Sequence, residues 1–309
     1  MKKLRGTACL VLAAIVWGMA FVAQTAAADS VGAFTFNASR CLIAGVFLLA
    51  LIGARRIFGN KKAAEAQPRH MDKKTLFKGM TCGVVLFFGM TLQQAGIAAY
   101  PAGEAVSGRS GFITATYVVM VAVFTWIKSR HMRINVIVAA AGCIAGMYML
   151  CMSEGFSGIY MGDVLVLLSA VAFAAYLLMI DRLADIDGLY IACIQFFTTG
   201  MISAVCMALF EKADITALAS AWLPIVYAGV FSSGVGYTLQ IAGQRYTEPT
   251  VASIVMSLES VFAAIAGWFM LGERLSPVEL LGCGVMFGAV ILSQLPEKSA
   301  ACESDAAAR

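Results

Sequence analysis

Charged side chains are scarce in this sequence. Asp, Glu, Lys and Arg make up 13% of its 309 residues, against about 25% in a typical soluble domain. Hydrophobic residues reach 61% and are concentrated in ten long runs with short connections between them. No stretch remains that could form a soluble catalytic domain, so the sequence predicts a protein embedded in a lipid bilayer.

Histidine is also scarce, and this limits the enzymes that the chain could be. His70 and His131 are its two histidines, and both fall in predicted loops. Segment 108–111 matches the Gly-x-Ser-Gly pattern of rhomboid-like intramembrane proteases, but such a serine needs a nearby base. The sequence also lacks a His-Glu-x-x-His helix, paired intramembrane aspartates and a Gly-x-x-x-x-Gly-Lys-Ser/Thr loop. We therefore expect neither an enzyme nor ATP hydrolysis.

No Cys-x-x-Cys pair occurs among the nine cysteines, and all of them except Cys302 lie within apolar runs. Buried thiols of this kind behave as small hydrophobic residues. A zinc site would require clustered cysteine and histidine. The sequence therefore predicts no metal site and no cofactor.

Each apolar run is long enough to cross the membrane as a helix, which takes about 20 residues. The strands of a membrane β-barrel would alternate in segments of about ten residues, and runs such as 164–168 do not alternate. We predict an all-α integral membrane protein with ten transmembrane helices, at about residues 6–27, 33–54, 76–97, 103–127, 134–152, 160–180, 189–210, 219–243, 249–270 and 277–295.

The distribution of basic residues predicts the orientation of the chain. Of 22 lysines and arginines, all except Arg40, Arg109, Lys212 and Arg274 fall on one side if the spans are counted from a cytoplasmic amino terminus. This positive-inside bias predicts that both termini lie in the cytoplasm. The net charge of +4 therefore reflects topology, and we expect a lipid bilayer and no nucleic acid as a partner.

The first 30 residues resemble a secretory signal, because three basic residues precede an apolar core and a run of alanines. The apolar segment from Gly6 to about Ala28 is, however, longer than the 7–15 residues of a signal core. We interpret it as a first span that stays attached.

The two halves of the chain resemble each other weakly. Residues 6–29 align without a gap with residues 162–185, and the Tyr-Pro at 100–101 parallels the Glu-Pro at 248–249. Composition alone could produce such a likeness. We predict a first repeat over 1–152, a second over 153–296 and a cytoplasmic tail over 297–309. Since each half has an odd number of spans, the second enters the bilayer in the opposite sense, as is typical of secondary transporters.

Glycine spacing and capping residues add local expectations. Ser276, Pro277 and Glu279 form a capping box that opens the tenth span, which makes Glu279 a structural residue. Small residues at this spacing let membrane helices approach closely. Glycines 142 and 146 on the fifth span and 282, 284 and 288 on the tenth follow this spacing, so we expect these two helices to pack the scaffold and not to line a pore.

Several motifs carry a resemblance to a known family. The second half has Gly234-x-Gly236-Tyr237-x-x-Gln240, Gln244, Ser257-Leu258-Glu259-Ser260-Val261-Phe262, Leu271-Gly272-Glu273 and Gly282. The first half has Trp17-Gly18-x-x-Phe21, Arg40-x-x-x-Ala44, Gln93-Gln94-x-Gly96 and the segment 108–114, and the sixth span opens with Gly162-Asp163. In this order and spacing, the motifs resemble the EamA family of the drug/metabolite transporter superfamily.

This resemblance implies ten helices in two inverted repeats, cytoplasmic termini, and export or exchange of small metabolites across the plasma or inner membrane. One departure is Ser260, since the family commonly has proline after the glutamate. We expect this serine to straighten a kink in the ninth span.

Glu259, Arg40 and Arg109 fall well inside predicted spans, away from the first four residues of each. A charge there costs about 2.5–3.5 kcal/mol and is a functional candidate by default. Glu259 lies ten residues into the ninth span, roughly 15 Å deep at about 1.5 Å per residue. Arg40 and Arg109 lie in the outer half of the first repeat. For these arginines, a static role, such as a pair between Arg109 and Glu104, competes with a functional one.

Amides and aromatic rings complete the candidate site. The glutamines of the eighth span, four residues apart, share one helix face and either bind a polar substrate or join helices for about 0.6 kcal/mol each. We expect a cavity lined by spans 1, 3, 4, 6, 8 and 9, with aromatic candidates at Trp17, Tyr117, Tyr148, Tyr176 and Tyr237. The candidate substrate-binding or gating residues are Trp17, Gln24, Arg109, Tyr176, Gln240, Gln244 and Glu259.

The function we expect is export of a small polar molecule, and amino acids or related compounds are the favoured class. An exporter of drugs or lipophilic cations is the first alternative. A channel, a non-transporting membrane protein and an intramembrane enzyme are further alternatives. The sequence leaves the oligomeric state open.

Overall fold

The computed structural model describes residues 2–28, 30–58, 73–101, 106–130, 132–151, 159–184, 186–212, 214–271 and 276–295. Within these ranges the regular structure is helical throughout. Nine of the described helices are long and apolar enough to cross a membrane, and a tenth, Ile134–Leu150, is apolar but shorter. The prediction of an all-α membrane protein is confirmed.

The spans are numbered in chain order, and three of them are interrupted. Spans 1, 2 and 3 are Lys2–Ala28, Ala33–Phe58 and Lys73–Ala98, and span 4 joins Val106–Ala115 to Tyr117–Ser129. Spans 5, 6 and 7 are Ile134–Cys151, Met161–Asp181 and Gly188–Phe210. After a short helix, Ile215–Ser220, span 8 joins Trp222–Val226, a π-helix Tyr227–Gly236 and Tyr237–Gln244. Span 9 joins Pro249–Met256 to Glu259–Leu271, and span 10 is Pro277–Gln294.

The contacts between spans follow the symmetry expected of two related halves. Span 2 packs along span 7 and span 5 along span 10, so these helices contact their own counterparts. Span 3 packs against span 6, and span 1 packs against span 8. Since spans 1 and 3 correspond to spans 6 and 8 of the second half, these are two copies of one contact. The first span is therefore an integral part of the helix packing.

Spans 2 and 7 are joined at both ends. At one end, Arg55 forms an ion pair of 2.8 Å with Asp187, which also caps span 7. At the other end, the carboxylate of Glu211 accepts hydrogen bonds from the backbone N–H groups of Phe34 and Thr35, at 2.9 and 2.8 Å. These are N–H groups that the first turn of a helix leaves without a partner inside the helix.

Spans 5 and 10 approach closely at one pair of glycines. A Cβ atom on Gly146 would lie 2.8 Å from the carbonyl oxygen of Gly282, and one on Gly282 would lie 2.6 Å from that of Gly146. The expectation for Gly284 and Gly288 is wrong, because a Cβ there meets no described atom within 4 Å. The capping box that opens span 10 is confirmed by reciprocal bonds between Ser276 and Glu279.

Candidate functional site

Spans 4 and 9 are both interrupted near their middle. In span 9 the amides of Leu258 and Ser260 bond to carbonyls three residues earlier, at 3.3 and 3.1 Å, which makes a tight turn. The expectation that Ser260 straightens this span is therefore wrong. In span 4 the hydroxyl of Thr116 donates to the carbonyl of Ile113 at 2.6 Å. Such back-bonding by threonine bends helices.

Span 8 contains a π-helix over Tyr227–Gly236, a form that is often found at functional sites. The indole N–H of Trp17 donates to the carbonyl of Ser232 in this segment at 3.1 Å. A Cβ on Gly236 would lie 2.6 Å from the same indole nitrogen. Glycine at 236 therefore lets span 1 place its tryptophan against span 8.

A cavity lies where these irregular segments meet. The space between its lining residues, open solvent included, is about 590 Å³, of which about 60 Å³ can hold the centre of a water-sized molecule. Spans 1, 3, 4, 6, 8 and 9 contribute to its lining, and span 2 adds Arg40. The larger polar side chains in the lining are Gln24, Arg40, Gln93, Gln240 and Glu259.

Aromatic rings form one wall of the cavity. Tyr237 packs edge to face on Trp17 and Tyr176, with ring centroids 4.9 and 5.8 Å apart, and Phe196 supports it at 5.2 Å. Such edge contacts hold rings in a defined geometry. Tyr148 does not belong to this wall, because it is 48% exposed on the outside of the helix bundle.

The structure brings five of the seven candidate residues to this cavity. Trp17, Gln24, Tyr176, Gln240 and Glu259 line it. That they contact a substrate stays a prediction. The other two candidates, Arg109 and Gln244, lie outside the lining.

Arg109 is bound to a carboxylate of the other half. Its Nε and one terminal nitrogen donate to the two oxygens of Asp163, at 2.7 and 2.6 Å. The guanidinium also lies 4.8 Å from the ring centre of Tyr160. This bidentate geometry is the strong form of an arginine–carboxylate pair. Arg109 therefore does not line the cavity as we expected, and a role for it in gating stays a prediction.

Tyr100, just beyond span 3, completes this cluster. Its hydroxyl donates to Asp163 at 2.9 Å. Burial and the contact with Asp163 raise the pKa of Tyr100, so the phenol stays a donor. Glu104, the partner that the sequence suggested for Arg109, lies outside the described residues. The signal that identifies Asp163 is its place as a carboxylate in the first turn of span 6.

Gln244 joins spans 6 and 8. Its amide N–H donates to the backbone carbonyl of Leu177 at 3.1 Å. Gln240, one turn earlier, lines the cavity instead. The side-chain oxygens of both glutamines have no hydrogen-bond partner among the described residues. The sequence allowed these glutamines either to bind a substrate or to join helices, and the contact of Gln244 fits the second role.

Arg40 is the residue that the candidate set missed. It is 2% exposed, and one terminal nitrogen donates to the side-chain oxygen of Gln24 at 3.2 Å. Its Nε has no partner among the described residues. The guanidinium lies 5.2 Å from the ring centre of Phe36. Nothing in the sequence separates this arginine from Arg109, since both lie in outer half-spans.

Glu259 opens the second segment of span 9 and is 5% exposed. The described part of the chain provides its carboxylate with neither an ion pair nor a hydrogen bond. The hydroxyl of Tyr117, another lining group, is likewise without a described hydrogen-bond partner. The cavity lining thus includes one basic side chain, Arg40 of the first half, and one acidic side chain, Glu259 of the second half.

A ten-span helical bundle with a central cavity between two related halves is the architecture of a secondary transporter. The model of the EamA-like transporter family matches residues 4–152 and 160–295. The chain therefore belongs to the EamA-like transporter family, and with it to the drug/metabolite transporter superfamily. It is a membrane transporter whose substrate is a small molecule.

The chain is similar to several transporters over most of its length. One, described as an uncharacterized transporter of Archaeoglobus fulgidus, is 29% identical, with 95% of this chain and 87% of the relative covered. The uncharacterized inner membrane transporter YedA of Escherichia coli K12 is 25% identical, covering 91% and 88%. The uncharacterized transporter YwfM of Bacillus subtilis is 26% identical, covering 96% of each chain.

A solved crystal structure shares the fold. It superposes with a TM-score of 0.74 over 94% of this chain and 96% of its own, at 18% sequence identity. At that identity the likeness concerns the fold alone.

Proposed function

We propose that this transporter exports amino acids or similarly small polar metabolites through the cavity between its two halves. The observation that carries the proposal is the lining, which combines Arg40, Glu259 and glutamine amides with an aromatic wall. A small amphipathic solute carries the same mixture of charge and apolar surface. Pockets of this kind use a few placed polar groups to orient a ligand within a mostly apolar surface.

The charges of the cavity argue against larger anionic cargo. A nucleotide-sugar or sugar-phosphate requires several cationic groups, and Arg109 is already bound to Asp163. Arg40 is the arginine that remains in the lining. A single guanidinium suits one carboxylate.

An exporter of lipophilic cations is the second candidate. Glu259 and the rings of Trp17, Tyr176 and Tyr237 are groups that attract cations. Arg40 in the same lining repels them, which makes this candidate the weaker one.

Resistance of intact cells separates the two candidates. Cells that overproduce the protein should tolerate toxic amino-acid analogues better than cells that produce an equal amount of Glu259→Gln. Counterflow of labelled amino acids in proteoliposomes, with and without a proton gradient, then identifies the substrate and the driving ion. If tolerance of the analogues is unchanged and resistance to lipophilic cations increases, the protein is an exporter of lipophilic cations instead.

We also propose that both termini lie in the cytoplasm, with the turn before span 10 outside. The support is the distribution of basic residues, of which Lys212 and Arg274 fall in outer loops. A cysteine placed at Ser276 should react with an impermeant reagent added to intact cells. Labelling of this cysteine only after the cells are opened would reverse the assignment.

A further inference from the structure

Within the part of the chain that the structure describes, Arg40 and Glu259 differ from the other buried charged groups in having no counter-charge. Arg109 and Asp163, also buried, neutralise each other at 2.6 Å. Arg40 and Glu259 line the same cavity, yet neither forms an ion pair with a described residue. A buried charge is normally paired, because the loss of hydration is costly. A bound ligand could therefore supply the counter-charge that each of these two groups lacks.

Arg40 has the chemistry of a carboxylate site. One of its nitrogens is held by Gln24, which fixes the guanidinium on the wall of the cavity. Besides Gln24, the thiol of Cys41 is a hydrogen-bonding neighbour of the guanidinium, and Nε has no partner among the described residues. A guanidinium presents five N–H donors and no acceptor, in a plane that matches a carboxylate.

Glu259 has the complementary chemistry. An ionised carboxylate only accepts hydrogen bonds, and an ammonium group only donates them. Tyr117 adds a hydroxyl without a described partner to the same lining, and Tyr237 and Trp17 add ring faces that attract cations. The two charged groups come from different halves, with Arg40 on span 2 and Glu259 on span 9.

We propose that Arg40 and Glu259 are the two charge subsites for a zwitterion, in which Arg40 binds the carboxylate and Glu259 binds the ammonium group of the cargo. This inference rests on the proposed function and narrows it to solutes that carry both groups. The aromatic wall receives the remainder of the solute. Because the two subsites belong to opposite halves, a zwitterion neutralises both and connects the repeats.

The test compares an amino acid with its two half-charged analogues. Counterflow in proteoliposomes is first measured for the proteinogenic amino acids, and the one with the largest signal becomes the probe. Its decarboxylated amine and its deaminated acid then compete with it. In the wild type, each analogue should inhibit about 10–100-fold more weakly than the amino acid, the loss expected when one charged hydrogen-bonding group is removed.

Each variant should abolish the preference of the transporter for the amino acid over one of the two analogues. In Arg40→Gln, the amino acid should inhibit no better than the amine, while its advantage over the acid persists. In Glu259→Gln, the advantage over the acid should disappear, while that over the amine persists. These ratios are measured within one variant, so they do not depend on how much protein is folded. Arg40→Lys and Glu259→Asp replace any variant that fails to fold, and Gln244→Leu serves as the control outside the cavity.

Each outcome has a separate meaning. Absence of counterflow for every amino acid in the wild type would overturn the proposed function and this inference with it. Counterflow with inhibition ratios that Arg40→Gln and Glu259→Gln leave unchanged would overturn the zwitterion site and leave amino-acid export standing. The two subsites would be established if Arg40→Gln abolished only the advantage over the amine and Glu259→Gln only the advantage over the acid.

Discussion

The two arginines buried in the first repeat contrast in their partners. Arg109 is held by both oxygens of Asp163 and lies outside the cavity. Arg40 faces the cavity and has a neutral amide, Gln24, as its hydrogen-bonding partner. The residue type is the same, so the partner decides the role. One arginine fastens helices together, and the other remains able to bind.

The same contrast recurs one helical turn apart in span 8. Gln244 donates to the carbonyl of Leu177 and joins spans 6 and 8. Gln240 lines the cavity with an oxygen that has no described partner. The oxygen of Gln244 has no described partner either, so the two glutamines differ in where they lie and in what the N–H group of Gln244 binds.

Breaking the scaffold pair should have the largest effect. Asp163→Asn leaves the charge of Arg109 buried without a counter-charge, which we expect to cost about 3–5 kcal/mol of stability. Thermal unfolding in detergent measures this loss. The double variant Asp163→Asn/Arg109→Gln should recover part of it. Losses that simply add in the double variant would show that the pair does not act as a unit.

The second prediction concerns the cavity arginine. Arg40→Gln should reduce transport about 10–100-fold, which corresponds to the loss of a charge-assisted hydrogen bond of about 1.5–3 kcal/mol. Its abundance in the membrane should match that of the wild type. The measurement is uptake in proteoliposomes that contain equal amounts of protein. Transport at the wild-type rate would remove Arg40 from the site.

The third prediction uses two glycines of span 10. Gly282→Ala forces a methyl group against the carbonyl oxygen of Gly146 and should destabilise the protein by about 1–3 kcal/mol. Gly288→Ala meets open space and should stabilise it by about 0.4–1 kcal/mol. Melting curves of the two variants should therefore shift in opposite directions. Shifts of the same sign would contradict the described contact between spans 5 and 10.

The smallest expected effects are those of the two glutamines. Gln244→Leu should lower stability by about 0.6 kcal/mol and leave the apparent affinity for substrate unchanged. Gln240→Leu should leave stability unchanged and weaken apparent affinity about 2–10-fold, the range of a neutral hydrogen bond. Melting curves and concentration dependence of transport separate the two. The reverse assignment of effects would exchange the roles of these residues.

The fold was predictable from the sequence because it depends on long apolar runs and on local capping. The ten spans, the capping box at Ser276 and the close approach at Gly282 follow from patterns within a few residues of each other. The outward position of Gly284 and Gly288 was not predictable, since spacing alone does not identify the contacting face of a helix. The interruption of span 9 was not predictable either, because residue 260 is a serine and not the proline that would indicate a break.

The site was predictable as a set of polar and aromatic residues but not as a geometry. The pair between Arg109 and Asp163 joins residues from different halves that are 54 positions apart. Choosing between Arg109 and Arg40 as the cavity arginine therefore requires knowing which residues of the second half face each of them. Tyr148 and Tyr176 look alike in sequence for the same reason, although one is exposed and the other lines the cavity.

The most direct test of the contrast between cavity and scaffold is the melting temperature, in the same detergent, of Arg40→Gln and Arg109→Gln beside the wild type. Removing Arg109 leaves the carboxylate of Asp163 buried without its partner, so this variant should melt far below the wild type. Removing Arg40 takes away a buried charge for which the described residues provide no counter-charge, so this variant should melt at the wild-type temperature or above it. A fall in the melting temperature of Arg40→Gln as large as that of Arg109→Gln would contradict the account.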